Sequence, residues 1–320
     1  MKKVLVSLVA PVFLFACMSE FMPVVLGARE VQNQQVSQSV DTLKSAKGAI
    51  GGKYTKILSN TNWQGTTVTD AAGNDLTAEN ASFIGLAKYD AKTNYYEFFD
   101  KETRETRGDE GTFFITADGT KRILISTSKN YQAVVDLTEV TKQKFTYRRQ
   151  GVDKEGNSVE VFVEHIPYKA SKLKFTNGRG KYKSKTGPIS TKEPGRMLLG
   201  SQLWHGTVVK DAAGNDVTEA NSMFISLAKF DAQTNKYEFF NLATGESRGD
   251  YGYYDVIYKN KLRTHVSIGQ NRYGAVLELT ELNAKRFTYK RKGHDAAGNE
   301  IDVFVEHERY TGSFDPAFTF

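Results

Sequence analysis

The chain has one cysteine, Cys17, in 320 residues, so no disulfide can staple the folded part and stability has to come from packing. With 6 prolines and 27 glycines it is neither collagen-like nor a Pro/Gly-rich disordered chain. Past the first 28 residues no apolar run approaches the roughly 20 residues that a membrane helix needs. The motifs that announce an enzyme are missing as well: no Gly-rich phosphate loop, no Gly-x-Ser-x-Gly elbow and no cysteine nucleophile after Cys17. The five histidines, His165, His205, His265, His294 and His307, show no metal-ligand spacing. No metal site, no cofactor and no catalytic set is therefore expected.

What is present is an ordinary globular composition, 39% hydrophobic and 25% charged, whose 16 Tyr and 20 Phe against 2 Trp lean towards strands. Met1-Lys2-Lys3 followed by an apolar stretch from Val4 to Met18 has the layout of an export signal. Small residues at Gly27-Ala28 favour cleavage there and release. Leu14-Phe15-Ala16-Cys17 offers the alternative of a lipid anchor on Cys17, and either outcome places the protein outside the cell or on its surface.

Self-comparison gives the organisation. At an offset of 141, Trp63 to Gly111 matches Trp204 to Gly252 at 31 of 49 positions without a gap. After a one-residue shift the match continues through Phe145-Thr146-Tyr147 against Phe287-Thr288-Tyr289 and Val163-Glu164-His165 against Val305-Glu306-His307. The expected layout is an export signal over 1–28, a tether over 29–58, one repeat over 59–176, a basic linker over 177–199 and a second repeat over 200–320. Residues 169–196 hold nine Lys or Arg against the single acid Glu193, a local excess larger than the +6 of the whole chain. They read as a solvated spacer or as a contact for anionic wall polymer or membrane headgroups. Nucleic acid is not expected, because the aromatics sit at strand positions and not among these basic residues.

Apolar alternation with period two marks eight strands per repeat, near 63–69, 82–90, 94–100, 111–117, 121–128, 131–139, 143–149 and 158–166 in the first, with a short ninth near 173–176. Short hairpin-linked strands with one buried face close most economically into an antiparallel up-and-down β-barrel. A β-sandwich is the rival. Asn62-Trp63-Gln64-Gly65-Thr66 with the late Arg148-Arg149 resembles the lipocalin/calycin pattern, which implies an early Trp covered by a late basic side chain. The set Gly73 to Thr77, Gly85 to Asp90, Tyr96 to Phe99, Phe145 to Arg149 and Val163 to Tyr168, repeated in the second half, resembles the domain of unknown function 4822 family of secreted proteins from low-GC Gram-positive bacteria. That resemblance implies no activity and no ligand.

Four groups of residues invite a functional reading. Tyr96, Phe98, Tyr147 and His165, matched by Tyr237, Phe239, Tyr289 and His307, place rings and an imidazole on inward faces, beside the small Gly85, Ala87 and Ala133. They are candidates for lining a ligand cavity with its mouth near His165 or His307, or for interlocking into a filled core. Arg107-Gly108-Asp109 and Arg248-Gly249-Asp250 spell the integrin-binding tripeptide and are candidates for adhesion, or shape the turn into a strand. Asp70, Asn74 and Asp75 surround a Gly turn and read as turn chemistry ahead of calcium. Glu164, His165 and Tyr168 are the best that an enzyme could use. The expected function is a non-enzymatic secreted or cell-surface protein binding a small molecule, peptide or surface polymer, with an adhesin as the alternative.

Overall fold

The computed structural model describes residues 52–170, 172–177, 189, 191 and 193–320. Residues 1–28, read above as an export signal and including Cys17, most of the expected tether and most of the basic connector lie outside the described residues.

Alternating apolar residues bury one face of each strand, and the strands close the first repeat into a barrel. They are β1 (Asn62–Asp70), β2 (Leu86–Asp90), β3 (Tyr95–Phe99), β4 (Thr106–Ile115), β5 (Lys121–Ser126), β6 (Tyr131–Val140), β7 (Phe145–Val152) and β8 (Ser158–Tyr168). Every neighbour is antiparallel, and β1 pairs with both β2 and β8, which closes the ring and leaves no sheet edge. The second repeat does the same with β9 (Trp204–Asp211), β10 (Leu227–Phe230), β11 (Lys236–Phe240), β12 (Ser247–Ile257), β13 (Leu262–Ser267), β14 (Gly274–Leu282), β15 (Arg286–His294) and β16 (Glu300–Arg309). The fold is thus two tandem up-and-down barrels and not a sandwich. Residues 82–85 are not strand: Ala81–Phe83 forms a 3-10 turn, and the ninth strand near 173–176 is absent.

Two short helices begin the barrels, α1 (Lys53–Ser59) and α2 (Gly195–Leu199), in segments read above as tether and linker. Leu58 and Leu199 are fully buried, and the carbonyls of these residues accept the indole N–H of Trp63 (2.8 Å) and Trp204 (2.9 Å). Each Trp meets Phe145 or Phe287 edge-on, with ring centroids 4.9 and 5.1 Å apart. The helix therefore closes the Trp end of its barrel. Arg148 and Arg149 do not cover Trp63 as the calycin pattern implies. Arg148 points outward to Asp136 (2.6 Å) and Glu160, and Arg149 lies over the Phe83 ring at 3.9 Å.

The opposite end is roofed by the β1–β2 connection. Buried Asn80 donates to the carbonyls of Leu76 and Val152 and accepts from the Val152 N–H, which ties the 3-10 turn to β7. Gly65 permits the fit, because a Cβ there would stand 3.0 Å from the Ile84 Cα; Gly206 stands in the same relation to Ile225. Gly85 faces the Arg107 side chain and the Phe99 carbonyl and not the lumen.

The two barrels dock on each other. Phe114, Ile123 and Ile125 from β4 and β5 share an apolar cluster with Tyr253 and Val266 from β12 and β13, and Phe320 packs against it. Gln132 donates to the Arg272 carbonyl (2.7 Å), and the Ala117 N–H donates to Asn235 Oδ1 (2.7 Å). The outer faces of β5 and β13 thus bury each other.

Candidate functional site: the barrel lumens

Side chains at alternate positions point into each lumen, and most are apolar. In barrel 1 Tyr96, Phe113, Phe145, Val161 and Val163 are all at most 1% exposed, which gives the side-chain-filled interior that an eight-stranded ring favours. Within that filling sit three kinds of polar group.

The first is a carboxylate. Asp109 accepts from the hydroxyls of Tyr96 (2.9 Å), Ser126 (2.9 Å) and Tyr131 (2.6 Å). Asp250 accepts from Tyr237 and Tyr273, each at 3.0 Å. These are the acids of the two Arg-Gly-Asp tripeptides. In β4, Phe98 pairs with Asp109 and Phe99 with Thr106, so Arg107 and Gly108 form a bulge. Gly108 (φ 63°) and Gly249 (φ 68°) take the left-handed backbone that the bulge needs. The acid turns inward while Arg107 stays outside, donating to the Ser82 carbonyl (3.0 Å); Arg248 donates to the carbonyls of Met223 and Ile225. The tripeptides do not splay two opposite charges on one exposed loop, and their arginines latch the 3-10 turn Ala81–Phe83 to β4 and its counterpart, the 3-10 segment Glu219–Phe224, to β12.

The second is a guanidinium on β5 and on β13. Arg122 and Arg263 are 4% and 2% exposed and lie over the rings of Tyr147 and Tyr289, each at 4.3 Å. Arg122 also donates to the Tyr89 hydroxyl (3.0 Å), leaving Nε without an acceptor. At the position of Tyr89 the second barrel has Phe230, and both Nε and Nη1 of Arg263 lack an acceptor. Burying a guanidinium costs several kcal/mol, against about 2 kcal/mol or more from a desolvated ring face and about 1.5–3 kcal/mol from a hydrogen bond to a charged group. Barrel 1 offsets the cost with stacking and one bond, barrel 2 with stacking alone.

The third is imidazole. His165 stacks on Phe145 at 4.4 Å and His307 on Phe287 at 4.3 Å. Burial, and then the charge of Arg122 or Arg263, pushes each down to about 3, so both rings are neutral at ordinary pH. They lie at the helix-plugged end, paired with Phe145 and Gly65 or with Phe287 and Gly206, and not at an open mouth. Barrel 2 adds His265 where barrel 1 has Leu124. Burial and then Arg263 hold it well below the usual range. The Tyr273 hydroxyl is committed to Asp250, so His265 Nε2 at 3.1 Å is the donor to Tyr273, and Nδ1 is left as a bare acceptor.

Tyr96, Tyr147, His165 and the half-buried Phe98 are thus gathered in one lumen, as are Tyr237, Tyr289, His307 and half-buried Phe239 in the other. The Glu-His-Tyr set is not gathered. Glu164 stands outside beside Lys144 (3.4 Å), and Tyr168 joins an outer cluster with Leu86, Phe99 and Leu173. Asp70 closes an Asx turn, accepting from Ala72 and Asn74. Sequence reading missed Arg122 and Arg263 because both faces of their strands are buried. Ile123 and Ile125 serve the barrel interface, and the apolar alternation of β5 therefore points away from the lumen.

The family described as Domain of unknown function (DUF4822) matches residues 55–175 and again 196–318. No curated protein matches. Among solved structures, a protein of unknown function from the DUF3598 family of Nostoc punctiforme is 9% identical, with a TM-score of 0.23 over 81% of this chain and 99% of that one. A candidate thioesterase II from Thermobifida fusca is 9% identical, with a TM-score of 0.09 over 56% of this chain and 74% of that one. At these TM-scores neither likeness bears on function.

Proposed function

Because the chain belongs, in both of its repeats, to the DUF4822 family of domains of unknown function, we propose a function from its own geometry: a non-enzymatic binding protein of the cell exterior, whose barrels take small molecules into the lumen. One observation carries this reading. Each lumen holds a buried guanidinium with N–H donors that meet no acceptor. A cation left in that condition costs stability, and a bound polar group offsets the cost. The latched 3-10 turns supply a small element whose release opens the end of the barrel opposite the helix. The neutral histidines support binding over catalysis: held down to about 3 and stacked on Phe rings, His165 and His307 are poor bases at neutral pH. Location outside the cell rests on the export signal of residues 1–28, and contact with anionic wall polymer or membrane on the basic segment 169–196.

The test is native mass spectrometry of the full mature chain, purified without denaturant, followed by solvent extraction of whatever it carries. Up to two small molecules per chain are expected, lost on unfolding. A ligand-free chain that also takes up none of a small-molecule panel while fully folded overturns the reading.

A further inference from the structure

The two lumens differ at two inward positions, and both differences act on the same cation. In barrel 1 the Tyr89 hydroxyl accepts from Nη1 of Arg122, and Leu124 stands two residues along β5. In barrel 2 the corresponding residues are Phe230 and His265. Among the described residues neither Nε nor Nη1 of Arg263 meets an acceptor, and its charge lies over the Tyr289, Phe287 and Phe230 rings. The carboxylate of the same lumen does not replace the missing partner: Asp250 accepts from Tyr237 and Tyr273, and the Nε and Nη1 donors of Arg263 do not reach it. A planar donor group at 2% exposure, surrounded by aromatic faces, is a receptor for a planar monoanion.

We infer that the second barrel is a carboxylate receptor, with the Nε and Nη1 donors of Arg263 holding the ligand's carboxylate among Phe230, Phe287 and Tyr289, whereas in the first barrel the Tyr89 hydroxyl takes Arg122 Nη1, leaves Nε alone open, and so no two-donor edge is free for an anion. The inference rests on the lumen-binding reading and gives it a ligand class and a place. Phe230 and Arg263 are the specificity-determining residues, and no chemical step is involved.

The probes are sodium acetate and sodium benzoate, with acetamide and benzamide as neutral isosteres, titrated calorimetrically into the full chain in a chloride-free buffer. One carboxylate per chain is expected, with each amide at least tenfold weaker. Arg263→Met should abolish carboxylate binding and stay folded, since it removes an uncompensated buried charge, while Arg149→Met, on the outer surface over the Phe83 ring, should leave binding unchanged. Phe230→Tyr restores the arrangement of barrel 1 and is expected to weaken acetate at least tenfold with the barrel intact by circular dichroism. Amides that bind as well as the acids, or carboxylate binding that survives Arg263→Met, overturn the assignment and leave lumen binding standing. If neither acids nor amides bind and native mass spectrometry also finds an empty chain, the lumen reading itself falls.

Discussion

Glu164 and His165 are neighbours in sequence and end on opposite sides of the barrel wall, one beside Lys144 and the other against a phenylalanine ring. That separation decides what the histidine does to stability. His165 and His307 titrate near 6.5 when unfolded and at about 3 when folded, through burial and then the nearby arginine; His265 moves the same way. The folded pKa values are depressed, so the unfolded state binds more protons between about pH 6.5 and 3. Stability is complete above the unfolded value and is lost as pH falls through that window. At pH 5 each of His165 and His307 should account for about 2 kcal/mol, at about 1.4 kcal/mol per pKa unit. Urea unfolding is expected to show a lower midpoint at pH 5 than at pH 7, and the double variant His165→Phe/His307→Phe should reduce the difference. An unchanged midpoint between the two pH values would place these rings in water.

The strands were legible because a half-buried strand writes its facing into every second residue, and Val159, Val161 and Val163 line the lumen as the alternation indicates. The helices were not legible. Runs of seven and five residues are too short to show helical periodicity, and α1 and α2 sit in stretches whose Lys and Gly content reads as connector. Their importance lies in one leucine each, set under the tryptophan. Leu199→Ala, outside any strand, is expected to cost about 2–5 kcal/mol in the cavity it leaves and in the loosened Trp204. Denaturant titration followed by tryptophan fluorescence measures this, and a loss below 1 kcal/mol would mean that the barrel end closes without the helix. The facing of β5 and β13 was illegible for the opposite reason. Their apolar residues serve the face that meets the other barrel, Ile123 and Ile125 in β5 and Val266 in β13, so the lumen-facing arginines read as surface residues. The inward turn of Asp109 depends on a bulge at Gly108 that no periodicity announces.

At the scale of the whole molecule, the interface uses matched positions from the two repeats. Ile125 and Val266 correspond in sequence, as do Val134 and Val276, and each pair lies in the shared cluster. A chain cut by a specific protease at a site inserted between residues 178 and 188 should therefore elute as one particle. Ile125→Asp should let the halves separate on size exclusion, and halves that part without that substitution would show the docking to be weak. A face that meets its own equivalent is the contact of a two-fold dimer, here carried within one polypeptide. In genetic terms, a change in the gene of a single-repeat dimer appears in both lumens at once, so a substitution that unmakes one arginine's partner unmakes both. Joining the copies removes that constraint. One half can keep its tyrosine while the other exchanges it for phenylalanine, and the pairing of the halves is preserved while their interiors diverge.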